Sequence, residues 1–314
     1  MENKTLVIGE LNVDMIMSGM SDLPGLGREI LAGDVHIVMG SSSAICSAGL
    51  ARLGEADFLG KVGTDYYGDF VVEQLRLLDV GTEHMIHDDT ARTGVTVSLT
   101  YPDDRMLITY LGCAPLLRLG DIDVSIFGDY THLHVGSYFL QLGLQAGLPE
   151  LFRQAHRAGL TISLDTGYDP YERWGGESLL SLLTLVDVFL PNEEEACAVA
   201  GVGDVEAALR ELAAYARLVV VKCGSSGAMT LCDGQIVHSP AFDVDAKDTT
   251  GAGDSFNAGF LYAYVLRGWP LERSLRFANA CGALSTTGFG GTAAQPTLEE
   301  ALAFLDAQSQ GERR

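Results

Sequence analysis

The chain has 314 residues, 47% of them hydrophobic, and only 9 prolines, enough apolar material to bury a large core in one domain or one with an appendage. Its 42 acidic against 20 basic side chains give a formal net charge of -22. That field opposes broad binding to nucleic acid or to an anionic membrane, so an anionic ligand needs a local pocket.

In chain order, TLVIG (5–9) reads as a buried strand, after which Glu10 and Asp14 interrupt the apolar run. The opening therefore lacks the core of a signal peptide, no run reaches the length of a membrane span, and the six cysteines, none in a CxxC pair, read as reduced thiols. A cytoplasmic protein is expected. REILAGDVHIVMG (28–40) alternates with period two, and SAICSAGLARLG (43–54) and YGDFVVEQLRLLDVG (67–81) carry helical periodicity. RTGVTVSLTYPDDRMLITYLG (92–112) alternates again around a turn at Pro102-Asp103-Asp104. Strand-like runs at 131–140, 160–165, 185–191 and 217–224 then frame helical patterns at 148–159 and 205–216. Strands alternating with helices predict an α/β fold: a doubly wound, mostly parallel sheet with helices on both faces. The period-two segments stand apart as a small β lid, at about 14–39 and 92–112, within one domain spanning 1–314.

After the strand-like VHSPAFDVD, the segment DTTGAGDSFNAGF (248–260) makes a glycine-rich loop that leads into an amphipathic helix. Unpaired amides and the positive end of the helix dipole favour an anion there, and Gly251 and Gly253 let it approach the backbone. Asp248 or Asp254 could simply cap the helix. A carboxylate beside an anion site is electrostatically awkward, however, unless it has a task, and accepting a proton from an attacking hydroxyl is one. No GxxxxGK[ST] loop is present and no GxGxxG follows the first strand.

The segment resembles the C-terminal signature of the ribokinase-like (PfkB) carbohydrate kinase family. The resemblance implies that the amides of Gly251, Ala252 and Gly253 form an anion hole for the phosphoryl group and that Asp254 is the base. It continues along nearly the whole chain. GELNVDMI (9–16) resembles the first strand and substrate loop, which places Asn12 and Asp14 on the acceptor's hydroxyls; GSSSAICSAGLARLG (40–54) corresponds to the N-terminal signature, with Gly40 and Ser41 at its glycine pair. Asn192 and Glu195 fit an Asn-x-x-Glu element that organises Mg2+ through water, and they also spell a capping box. Lys222, Gly224 and Gly227 match a nucleotide-side turn, and Asn279 falls near adenine. Some members bind a monovalent cation, K+, at the positions matching Asp248 and the backbone of 286–291.

The resemblance thus implies ATP-dependent phosphoryl transfer, with Mg2+, to a primary hydroxyl of a small sugar or polyol. The alternatives are a nucleoside acceptor and a non-catalytic, metabolite-sensing homologue. Exposed lid edges suggest a homodimer through the lid. One departure concerns the acceptor. The family signature runs Gly-Gly-x-x-Ala-Asn, whereas here Ser41 holds the second glycine position and Ile45 the asparagine position. An isoleucine facing the substrate would leave a hydroxyl without a partner and make free ribose a poor acceptor.

Overall fold

The computed structural model describes residues 3–23, 25–101 and 105–311, so the turn expected at 102–104 lies outside the described residues. The first half contains β1 (Lys4–Ile8), β2 (Asn12–Ser18), β3 (Asp34–Met39), α1 (Ser42–Leu53), β4 (Glu55–Leu59), β5 (Lys61–Gly63), α2 (Tyr66–Leu77), β6 (Ile86–Asp88), β7 (Gly94–Thr100) and β8 (Arg105–Tyr110). Then come β9 (His132–Val135), α3 (Leu148–Ala158), β10 (Thr161–Leu164), α4 (Gly176–Leu183), β11 (Val188–Phe189), α5 (Glu193–Ala200), α6 (Val205–Leu212) and β12 (Val220–Lys222). The chain finishes with β13 (Ala228–Cys232), β14 (Gln235–Ser239), α7 (Ala252–Phe260), α8 (Leu271–Ser285) and α9 (Leu298–Gly311).

The central sheet runs β11-β10-β9-β1-β4, with every pair parallel. Isolated parallel bridges, Phe189 to Val219 and Asn192 to Lys222, carry it on to the antiparallel β12-β13-β14. Such a sheet must be covered on both faces, and the alternation along β1 shows how. Leu6 and Ile8 join a core with Phe152 of α3 and Leu209 of α6, while Val7 joins the opposite core with Leu50 of α1, Phe256 of α7 and Phe277 of α8. β1 lies between β9 and β4, so the chain departs from it to both sides. Crevices at the carboxyl ends of strands beside such a reversal are where open α/β sheets hold ligands.

A second sheet of four strands, ordered β3-β2-β7-β8, stands apart. Its central pair, β2 and β7, is parallel and its outer pairs are antiparallel. The 28–40 and 92–112 segments both contribute, as their alternation predicts. Residues 12–16, the latter part of the 9–16 segment read above as first strand and substrate loop, lie in β2 of this sheet. Two other expectations shift. The run 131–140 ends as a strand at Val135, since Ser137 turns left-handed (φ 49°) into a short 3-10 turn. VHSPAFDVD remains a strand only as far as Ser239.

Candidate active site

Helix α7 begins where the loop turns through Gly251, which has φ 73° and no side chain to cap the helix. A Cβ there would lie 2.8 Å from the Cα of Gly291 and 2.9 Å from Cγ2 of Ile45, so only glycine allows this approach. The amides of Ala252, Gly253 and Asp254 occupy the first turn, where helical N–H groups have no intrahelical acceptor. Asp254 sits directly behind them. Burial pushes its carboxyl well above the ordinary carboxylate range; the charges of Asp165, Glu10 and Glu195 add to this, and the Lys222 ammonium opposes it. A carboxylate held this way is a stronger proton acceptor than a solvated aspartate.

Lys222, at the end of β12, extends inward rather than along the nucleotide-side turn. Its Nζ lies 2.6 Å from Oδ2 of Asp165, and that oxygen also accepts a 2.6 Å hydrogen bond from Nδ2 of Asn257 on α7. Burial works against both charges, yet each is held by the other: Lys222 stays above its ordinary pKa and Asp165 below. Glu195 lies nearby. It closes the expected capping box, with Oε2 accepting from the Asn192 backbone, Oε1 accepting from Asn192 Nδ2, and its own N–H donating to Asn192 Oδ1 (each 2.9 Å). Burial first, and then the Asp165 charge, raise its pKa to about 7.

In the small sheet, Asn12 Nδ2 donates to Asp14 Oδ1 at 2.8 Å and to Thr96 Oγ1 at 3.2 Å, which ties β2 to β7. A Cβ on Gly40 would fall 2.1 Å from that Asp14 oxygen, so the carboxylate occupies the space glycine leaves. Ser41 caps α1 at φ 77°, the positive region that suits the family's glycine. Its hydroxyl holds the Glu10 carbonyl (2.5 Å) and carboxylate (3.0 Å).

Glu10, expected only to interrupt an apolar run, is a buried keystone. Ser43 and Ser137 also donate to its carboxylate, at 2.5 and 2.8 Å, so one side chain joins the ends of β1 and β9 to the start of α1. Ser43 fits there because Gly9 and Gly136 have no Cβ; one added to either would lie within 2.4 Å of its hydroxyl. Ile45 is buried, and its side chain packs against Gly251 and Gly291, beside the glycine-rich loop.

The remaining candidates lie at the turn after β12, on α8 and at the start of the glycine-rich loop. Gly224 (φ 52°) and Gly227 (φ 96°) shape the turn after β12, and a Cβ on Gly227 would lie 2.1 Å from the Ser239 carbonyl. Asn279 Nδ2 donates to that carbonyl and to the carbonyl of Pro240, at 2.9 and 3.1 Å, and so ties α8 to the end of β14. Asp248 accepts from the Thr250 and Gly290 amides, at 2.9 and 2.8 Å, and joins the glycine-rich loop to the 286–291 segment. Sequence reasoning missed Glu10, Ser43, Ser137, Asp165 and Asn257. For Asp165 a signal existed, since it closes a strand at the carboxyl edge of the sheet.

Residues 3–298 match the family described as pfkB family carbohydrate kinase. Among curated relatives, the chain is 31% identical to an ATP-dependent ribose-1-phosphate kinase of Halopiger xanaduensis over 311 residues, covering 96% of this chain and 98% of the relative. It is likewise 31% identical to a fructokinase of Klebsiella pneumoniae over 316 residues, with the same coverage. Among solved structures, fructokinase with bound ATP from Xylella fastidiosa superposes with a TM-score of 0.85 at 25% identity, covering 98% of this chain and 100% of that one. With the glycine-rich loop, its half-buried aspartate and the five-stranded parallel sheet in place, the chain belongs to the pfkB family of carbohydrate kinases.

Proposed function

We propose that this carbohydrate kinase transfers the γ-phosphoryl group of ATP to a primary hydroxyl of a small sugar or related polyol. The observation that carries the proposal is Asp254, a carboxylate of raised basicity placed directly behind an anion cradle at the start of α7. The acceptor oxygen bonds to the γ-phosphorus while the bond to the bridging oxygen of ADP breaks, and the hydroxyl proton passes to Asp254. The amides of Gly251, Ala252 and Gly253 take up charge on the phosphoryl oxygens, where fixed donors act without reorganising. Asn12 and Asp14, held in register by Thr96, orient the acceptor hydroxyls beside Gly40 and Ser41. The turn through Gly224 and Gly227 and the Asn279 segment hold the nucleoside end.

Mg2+ fits the residues present. Both oxygens of Glu195 already accept from Asn192, so their remaining lone pairs suit metal-bound water better than direct ligation. When bound, the metal neutralises charge on the nucleotide phosphates. Asp248 joins the two segments whose oxygens would surround K+, so faster turnover in K+ than in choline salt belongs to the same proposal.

The small sheet closes over the acceptor as a lid, inserted at about 14–39 and 92–112 into a single kinase domain. Its edge strands expose Val35, Ile37, Met106, Ile108 and Tyr110, which their register places on one face, an apolar surface that suits a second copy of this chain and gives a homodimer. Among the described residues no helix is long and apolar enough to cross a membrane, and a cytoplasmic location completes the proposal.

The test is ATP turnover with Mg2+ over fructose, ribose, ribose 1-phosphate, other sugars and nucleosides, in K+ and in choline, with sedimentation of the same sample. Phosphorylation of a sugar by a dimer is expected. No turnover on any acceptor would refute the kinase assignment, equal rates in the two salts would remove the K+ site, and a monomer would remove the lid contact.

A further inference from the structure

We propose that Lys222 is a catalytic residue of the phosphoryl transfer itself rather than a contact to the nucleoside end, an inference that rests on the kinase reading above. Its ammonium lies 3.8 Å from the position a Cβ would take on Gly253, and its Cδ and Cε lie within 3.9 Å of that point, so the side chain runs along the last residue of the anion cradle. The side chain is only 13% exposed. Of the three N–H donors on Nζ, one goes to Asp165 Oδ2, and no other hydrogen bond from the ammonium forms among the described residues. Beyond its bond to Asp165, this desolvated ammonium has donors to spare beside amides that gather around an anion, and the transferring phosphoryl group is an anionic acceptor that can take them.

The surroundings allow the exchange. Asp165 keeps the Gly167 amide at 2.8 Å on Oδ1 and Asn257 at 2.6 Å on Oδ2, so it stays hydrogen-bonded when Lys222 turns from it toward the phosphate. Lys222 neither gains nor loses a proton. In the transfer, the new bond joins the acceptor oxygen to phosphorus, the electron pair of the broken bond leaves with ADP, and the proton goes to Asp254. Lys222 adds positive charge where the equatorial oxygens carry negative charge, and in the resting protein Asp165 holds it there.

The competing role is that of a counter-ion serving only Asp165, and a pair of variants separates the two. Lys222→Met should lower kcat by about 100- to 1000-fold, the scale for loss of one preorganised donor to developing charge, with the acceptor KM changed less than threefold. Asp165→Asn/Lys222→Met removes both charges and leaves none buried alone, so it also serves if the single variant fails to fold. It should remain as slow as the single variant. Either Lys222→Met or the double variant retaining more than a tenth of wild-type kcat would overturn the proposal. A wild-type protein that turns over no acceptor would instead overturn the kinase reading, and this proposal with it.

Discussion

At Asp254, basicity and position come from different parts of the chain. The position belongs to four adjacent residues, Gly251 to Asp254, and was legible in the sequence because a helix start and its loop are local. The basicity comes first from burial and then from the charges of Asp165, Glu10 and Glu195, against the opposing Lys222 ammonium, all from other segments, and no local pattern announces it. Asp254→Asn keeps the shape and removes the base, so kcat should fall at least about 100-fold while nucleotide affinity changes little. Since the folded carboxyl titrates above the ordinary aspartate value, activity should be lost as pH falls through that raised pKa. The acid limb of kcat/KM should thus lie well above about 3.9, where an unperturbed aspartate would place it. A limb at that ordinary value, or near-normal kcat in the asparagine variant, would leave Asp254 as a helix cap. Ile45 shows a different limit: its place in the signature was legible, but the glycines it packs on, Gly251 and Gly291, lie more than 200 residues away, so its neighbours were not.

The elements themselves were largely visible, and their ends show where local signals run out. Helix α3 stops at Gly159 (φ 91°), as the glycine after its last apolar residue predicts. Helix α2 stops short of the glycine expected to end it, with Asp79 left-handed at φ 59° and Gly81 bridged to Asp57 beside β4. The start of α1 makes the strongest local demand. Ser41 has a positive φ that favours glycine, yet its hydroxyl also accepts from the Ala44 amide at 3.1 Å and donates to Glu10. Ser41→Ala keeps the strain and loses the cap and the Glu10 bonds. Ser41→Gly loses the same bonds but relieves the strain. The alanine variant should therefore be less stable than the glycine variant by about 1 kcal/mol, and both less stable than wild type. Urea unfolding of the three proteins checks the order, and an alanine variant as stable as the glycine variant would show that the turn carries no strain.

Across the molecule, the central sheet carries a polar seam as well as an apolar core. His132 and His134 on β9 are fully buried and share the Ser163 hydroxyl, with Nε2 of one and Nδ1 of the other at 2.8 and 2.7 Å. Burial pushes His132 down to about 3, with His134 adding to the effect, and pushes His134 down to about 4 despite the Asp165 charge. The unfolded chain takes up these protons near pH 6.5 and the folded chain does not. Their contribution to stability is thus complete above about 6.5 and is lost as pH falls toward 4, at about 1.4 kcal/mol per pH unit for each histidine. Urea midpoints at pH 7 and pH 5 should drop further for wild type than for His132→Gln/His134→Gln; equal drops would place the acid sensitivity elsewhere. The small sheet follows a different logic. Because β2 pairs in parallel with β7, with Asn12 opposite Gly94, its halves are separated along the chain by α1, β4, β5, α2 and β6. A parallel pair needs such a crossover, and its loop-closure entropy is met only once those intervening elements have packed. The small sheet is therefore no portable cassette: it takes its register from the core beneath it, and a graft of 12–39 alone would bring β2 and β3 without the strand that completes them.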